Sequence, residues 1–338
     1  MAKVYAGWPY NLCQMGREST RGTPVAATTV WVGLFASPED DRNRNVAESD
    51  IGRLVALERT YDTVKRVNIP LPSTELTYEQ APHIFEAGLM TATPSGSGDF
   101  TRAYSFPLGT TPPTIKTYTL ELGNVLVSSD VHEVPYCFVR DFELSGAAEE
   151  AWMIQANWRG QQMLQTGFTP SLAVTVPEVA KFGNTRLYIN NSGSAPGTTQ
   201  LTGILMKSSI RIETGIREVP AGDGNLYYIA HKFTKPMVTF TITMELEQDD
   251  GASVVAAERA KWDEDAYRII RLQCPGTSNR NMTIDMAAKY TRVGGYEKEG
   301  DGNTVVTFEG RASYSPADAL YFSTTFINKI AAYGTAPN

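Results

Sequence analysis

Cysteine is scarce in this chain. Cys13, Cys137 and Cys274 are its three thiols. They lie far apart and none sits in a CxxC spacing, which excludes a disulfide framework and a sequence-encoded zinc site. Three buried or half-buried thiols in a reducing compartment is the expectation. Histidine is equally sparse: His83, His132 and His231 lie in different elements, without the close second histidine that a metal pair requires. Basic charge is in deficit, with 30 Lys and Arg against 37 Asp and Glu and a net charge of −7. That argues against a broad surface gripping nucleic acid by its phosphates, though not against nucleic acid passing without being held. No apolar run reaches the ~18 residues of a membrane helix. Met1–Pro9 lacks the apolar core of a signal peptide, so use without Sec export is expected. Neither G-x-S-x-G, nor a P-loop, nor a G-x-G-x-x-G opening a helix occurs. The expectation is a protein that is not an enzyme and takes no metal or cofactor.

What the chain has is alternation. Of its 338 residues 42% are hydrophobic, enough for ordinary cores, and the length suggests two domains. Val238, Phe240, Ile242, Met244 and Leu246 alternate with Thr239, Thr241, Thr243, Glu245 and Glu247. That pattern is a strand with one dry and one wet face. Gln248–Gly251 breaks it, Ser253–Ala266 reads as a helix, and Arg268–Leu272 returns to strand.

The rest follows suit. Ser37–Asp50 is charged and reads as a solvated loop after an extended arm. Leu54–Leu71 is strand-like with a polar interruption at Thr60–Thr63, and Thr77–Met90 has helical spacing with Pro82 near its start. Tyr104–Leu108 and Thr117–Gly123 are strands; Cys137–Leu144 and Ala151–Trp158 form a hairpin, with Trp152, Ile154, Ala156 and Trp158 on one face. Phe168–Thr199, rich in Pro and Gly and with only short strand-like pieces such as Arg186–Ile189, reads as the connection between halves. Ser209–Gly215, Leu226–Ile229, Met282–Arg292, Thr304–Arg311 and Phe322–Ile330 are the strands of the second half besides those above. The order of elements repeats, although residue identity between the halves is low. The expected fold is mainly β with one helix per half, a β-sandwich or half-barrel with a flanking helix, in domains 1–178 and 179–338.

Two features invite chemistry and are better read as structure. Gly222–Asn225 and Gly300–Asn303 repeat Gly-Asp-Gly-Asn. Calcium needs six to eight oxygen ligands, and each segment offers one Asp and one Asn before running into a strand. Hairpin turns with positive φ at glycine account for them. Glu247/Asp249/Asp250 and Asp263/Glu264/Asp265 offer paired carboxylates of the kind glycosidases use. They fall at a strand end and a helix end, where solvated charge is ordinary.

Gly16-Arg17-Glu18-Ser19-Thr20-Arg21-Gly22-Thr23-Pro24-Val25-Ala26-Ala27 resembles the G-K-E-x-T-x-G-T-x-x-A opening of tail tube proteins from bacteriophages with long, non-contractile tails. The alternating strands with one helix per half are similar to the same family as a pattern over most of the chain. Arg42–Asp50 departs from it, being longer and more charged. The resemblance implies a virion protein of the tail, made in the host cytoplasm. It implies two duplicated tail-tube-like domains and homotrimeric rings of pseudo-sixfold symmetry around a β-barrel lumen. Stacked rings would form a tube that meets the tape-measure and tail-end proteins and passes double-stranded DNA without binding it specifically.

On that reading the wet faces Thr239, Thr241, Thr243, Glu245, Glu247 and Thr117, Thr119, Glu121 are candidates for the lumen wall. Acidic character would let DNA slide. Arg42, Asn43, Arg44 and Asn45 are candidates for an inter-ring loop, with Ser37–Asp50, Phe182–Thr199 and Glu218–Asn225 as ring-to-ring contacts. The competing expectation is a virion or surface β-sandwich that binds carbohydrate or a protein receptor. It predicts a compact small oligomer with an aromatic groove. A hydrolase with a diffuse acidic site is a third, disfavoured by the absent motifs.

Overall fold

A computed structural model describes residues 5–34, 36–55, 57–247, 252–299 and 302–333. Strand makes up 48% and helix 8%, so the fold is mainly β, with two α-helices, one in each half. The first half holds β1 (Asn11–Arg17), β2 (Thr29–Val30), β3 (Glu39–Asp40), β4 (Arg44–Ser49), β5 (Leu57–Asp62), β6 (Val67–Glu75), α1 (Ala81–Gly88), β7 (Phe100–Ser105), β8 (Tyr118–Asn124), β9 (Val131–Ala147), β10 (Met153–Gly160) and β11 (Leu164–Thr166). The second holds β12 (Arg186–Asn191), β13 (Gln200–Leu201), β14 (Leu205–Glu213), β15 (Ile216–Val219), β16 (Ala230–Phe233), β17 (Met237–Glu245), α2 (Val254–Asp263), β18 (Arg268–Pro275), β19 (Asn281–Val293), β20 (Glu297–Glu299), β21 (Asn303–Ala312) and β22 (Phe322–Asn328).

Antiparallel pairing joins β6, β10, β9, β14, β17, β21 and β19, in that order, into one central sheet spanning both halves. β9 and β19 are long because each serves two neighbourhoods. The first part of β9 pairs with β8 and β11, and its last part with β10 and β14. Tyr136, at φ 55°, lies at the irregularity of the β8 pairing, between Val134 and Cys137 and just before the second part; such an extra residue bends a strand and re-aims its pairing. β19 pairs first with β18 and β22, then with β21.

The two halves share one pairing scheme. In the first the order is β2, β1, β8, β9, β10, β6, β3, with β11 against the start of β9. In the second it is β13, β12, β18, β19, β21, β17, β14, with β22 against the start of β19. A hairpin intervenes at the same point in each: β4 and β5 between β3 and β6, β15 and β16 between β14 and β17.

One hydrophobic cluster runs through both halves, from Cys13 to Phe326. α1 lies inside it with all eight residues buried. Phe85 meets the rings of Phe142 and Phe326 at 4.9 and 5.1 Å, and full burial of such a side chain contributes about 2–3 kcal/mol. Pro82 sits in the first turn, where its missing N–H costs nothing. α2 lies at the surface. The Ser253 hydroxyl accepts the Ala256 N–H, and the Glu247 carboxylate accepts that of Val254 at 3.1 Å; both satisfy donors that a helix start leaves free. Buried Glu258 takes both arms of Arg268 at 2.6 and 2.8 Å and the Tyr290 hydroxyl at 2.9 Å. α1 has a comparable anchor, with Glu86 3.0 Å from Arg17 and bonded to the Tyr118 hydroxyl.

Several expectations need correction. The solvated loop at Ser37–Asp50 is largely strand, because Arg44–Ser49 pairs residue for residue with Leu57–Asp62. Thr60–Asp62 belongs to β5 instead of interrupting a strand. Within Phe182–Thr199, the strand-like piece Arg186–Ile189 is part of the sheet strand β12, so that segment is not all loop. Leu226–Ile229 precedes β16 instead of forming it. The expected helices are shortened to 81–88 and 254–263. The break at Gln248–Gly251, with Asp249 and Asp250, lies outside the described residues, as does Asp301. Gly224 and Gly302 have φ of 93° and 112°, as the turn reading requires.

Candidate functional site

The central sheet has one apolar face, packed on the core, and one polar face. Register fixes the polar face as rows running across the strands. Glu309, Thr241, Ser209, Ser145 and Met153 form one. Arg311, Thr239, Arg211, Glu143 and Gln155 form the next. Glu213, Asp141, Asn157 and Pro70 form a third. These side chains bond along and between rows: Ser209 to Glu143 at 2.7 Å, Gln155 to Glu143 at 3.1 Å and Asn157 to Asp141 at 2.8 Å, while Arg211 lies 3.6 Å from Asp141. Thr243 and Thr307 share a hydrogen bond at 3.0 Å. The three rows carry Glu309, Glu143, Glu213 and Asp141 against Arg311 and Arg211 and contain no aromatic ring, while Lys289, Arg292 and Lys207 stand at their margins beside Arg311, Glu309 and Thr243.

Of the lumen candidates, Thr239, Thr241 and Glu245 lie on this face and are half-buried. Thr243 is on it too but is buried, at 7% exposure, by its neighbours in the row. Glu247 lies beyond the strand, where its carboxylate is engaged at the start of α2. Thr117, Thr119 and Glu121 are not on a wet face at all, being 0–3% exposed. The reason is the segment carrying the family-like motif, which folds back over β8. Glu18 accepts the Thr117 and Thr119 hydroxyls at 2.6 and 3.0 Å, and the Tyr136 and Gly22 N–H groups at 2.7 and 2.8 Å. Glu121 accepts the Ala27 and Thr169 N–H groups at 3.3 and 2.6 Å. A Cβ at Gly16 would stand 2.5 Å from the Ala26 carbonyl, so the fold-back needs glycine there. The polar residues that the sequence offered as solvated are the floor of a roofed site.

Asp141, Glu143, Gln155, Asn157, Ser209 and Arg211 escaped the sequence reading. Their strands alternate clearly, but which polar face would be wet depended on knowing which strands became neighbours.

The inter-ring candidates sit at one rim. Arg42 pairs with Asp40 at 2.6 Å, Arg44 with Asp62 at 2.7 Å, Asn43 bonds to the backbone of Val64, and Asn45 to the Thr63 hydroxyl. They form the base of the β4–β5 hairpin, whose tip exposes Ile51, Leu54 and Val55, Leu54 at 104%. The β15–β16 hairpin leaves beside it. Arg66 lies 2.6 Å from Asp41 and 3.8 Å from Glu218, and Arg159 lies 3.5 and 3.7 Å from the same two carboxylates.

The ends of the central sheet complete the site. Among the described residues, β6 pairs along its outer side with β3 alone, at Val67 and Asn68. Pro70 and Pro72 stand in β6, Pro70 opposite Asn157 and Pro72 at the irregularity where the register with β10 slips, and neither has an N–H to offer a further strand. At the other end, β19 beyond Ala288 has β21 on one side and no described strand on the other.

Burial shifts two of the groups inside toward their uncharged forms. Burial, then Arg17 and Arg102, lowers His83 to about 3. Burial, then Glu121, raises the Cys13 thiol to about 12. All three cysteines are free and buried. No helix among the described residues is long and apolar enough to cross a membrane. Comparison of the sequence with models of known protein families gives no match, and none of the curated proteins compared with it matches either.

Proposed function

We propose that this chain is a structural protein that assembles with copies of itself into stacked rings, and that the stack is the tail tube of a long-tailed bacteriophage through which DNA leaves. The observation that carries the reading is the central sheet: continuous across both halves, polar on one face, and with stretches of both outer margins unpaired among the described residues. Such a sheet leaves margins to be covered. A head-to-tail contact between copies covers both at once, and rings close when the rotation between copies allows it. The shared pairing scheme supports duplication of one tail-tube-like unit, so that three chains would supply six units. The polar face would line the lumen, where the acidic excess of its three rows repels phosphate. The hairpin rim would meet the next ring. The motif at Gly16–Ala27 is the residue-level support for the family.

The polar rows carry no aromatic platform of the kind sugar-binding grooves use, so the binding-module reading gains nothing from them. Negative-stain microscopy of the purified protein is the test. Rings or tubes are expected; compact, non-polymerising particles at high protein concentration would overturn the proposal.

A further inference from the structure

We infer that the free edge made by the end of β19 and by β20 is the docking site for β3 of a second copy. This rests on the ring reading above and names the junction it requires.

The chain carries its own template, the internal weld at which β14 lies between β17 and β9. By the shared pairing scheme the first-half counterparts of β17 and β14 are β6 and β3, and the second-half counterpart of β9 is β19. β3 has β6 on one side. The end of β19 has β21 on one side, and past it the Gly294 carbonyl accepts from Arg259 of α2 at 3.1 Å, with that guanidinium over the Tyr296 ring, so a side chain and no described strand stands there. Each lacks, among the described residues, the neighbour that its counterpart has in the weld.

Register makes the correspondence specific. Ile69, Trp158 and Val139 form one row, and Phe240, Gly310 and Tyr290 form its counterpart. The irregularity also repeats: pairing slips by one residue at Arg140 in β9 and at Thr291 in β19. Val139, Asp141 and Phe142 therefore correspond to Tyr290, Arg292 and Val293. On the other strand Ile212 faces Val238 as Asp40 faces Val67, so Glu39 and Asp40 correspond to Arg211 and Ile212. Ile212 faces Phe142 in the weld, and Arg211 faces Glu143. Between copies, Asp40 would face Val293 and Glu39 would face Gly294.

Charge agrees with this register. Inside the chain Arg211 lies 3.6 Å from Asp141, which also accepts from Asn157. The counterparts are Glu39 and Arg292, an acid and a base with their signs exchanged. Arg292 already holds Glu309, the counterpart of Asn157, at 2.7 Å and is 70% exposed, so it has room for a second partner. β3 is exposed at both residues. The contact is heterologous, one margin of each copy meeting the opposite margin of the next, and it adds strands without using the proline-blocked stretch of β6.

The test is cross-linking in solution with a short bismaleimide. The native thiols are buried, so introduced ones react alone. Chains carrying Glu39→Cys and chains carrying Gly294→Cys are expected to give a covalent dimer when mixed, and none when either is treated alone. The double variant is expected to give a ladder that stops at the ring number. A Glu39→Lys chain, whose site is exposed and whose fold is not at stake, is expected to lose most of its ring yield at low salt. Rings that form without the mixed dimer, or with the yield of Glu39→Lys unchanged, would overturn this junction and leave the ring reading standing. Protein that stays monomeric at every concentration tested would overturn both.

Discussion

A buried carboxylate is tolerable when donors surround it, and Glu18 shows how few residues that takes. Two threonine hydroxyls and two backbone N–H groups converge on it. Glu18→Ala strands those donors under the fold-back, at ~1–3 kcal/mol for each one left unsatisfied. A total loss of about 3 kcal/mol or more is expected in chemical denaturation, with Glu18→Gln losing less because an amide oxygen still accepts. Equal stability of Glu18→Ala and wild type would remove the lock. His83 gives a pH dependence. Its folded pKa, about 3, lies below the ordinary value of 6.5, so the unfolded chain binds the extra proton between those values. The contribution of His83 to stability is therefore intact above pH 6.5 and is lost as pH falls toward 3, at about 1.4 kcal/mol per unit. Glu86 works the other way: burial raises its carboxyl above the ordinary carboxylate range, so its protonation at low pH favours the folded chain. His83→Gln is expected to flatten the fall in stability between pH 6.5 and 4, measured by denaturation at each pH.

Among the elements, the β4–β5 hairpin and α1 mark opposite extremes of burial. α1 is enclosed, so its sequence reads as a helix by spacing yet carries no wet face. Among the described residues the hairpin pairs only with itself, and it displays apolar side chains at its tip, which a free monomer has no stability reason to keep. Replacing Asn45–Tyr61 by a two-residue turn is expected to change unfolding free energy by less than about 1 kcal/mol, as surface changes do. The same variant is expected to form no stacked tubes under the microscope. Normal tubes would deny the hairpin its assembly role.

For the whole molecule, the acid-rich rows of the polar face matter only when copies surround a channel. Glu213→Lys with Glu309→Lys is expected to make assembled tubes retain double-stranded DNA, and to release it as salt rises, because neutralised phosphates set free their counterions. Wild-type tubes are expected to retain none. Equal retention by both would place these rows away from the DNA path.

Much of this was legible locally. Val238 to Met244, Ile284 to Tyr290 and Trp152 to Trp158 alternate because the pleat itself has a period of two, and each buries the face its pattern assigns. Ser253 could stand as the cap of α2 for the same local reason. Alternation does not say what covers a polar face, so Thr117, Thr119 and Glu121 read as wet until the Glu18 segment was seen lying over them. Nor does it name a strand's neighbour: the weld of β9 to β14 joins residues at least sixty positions apart. The sequence by itself determined the long alternating strands, the glycine turns and the place of each helix, since those follow from torsions and spacing within a few residues. Only the tertiary structure decided which polar face stays open and which margins stay unpaired, because both depend on what distant parts of the chain bring alongside.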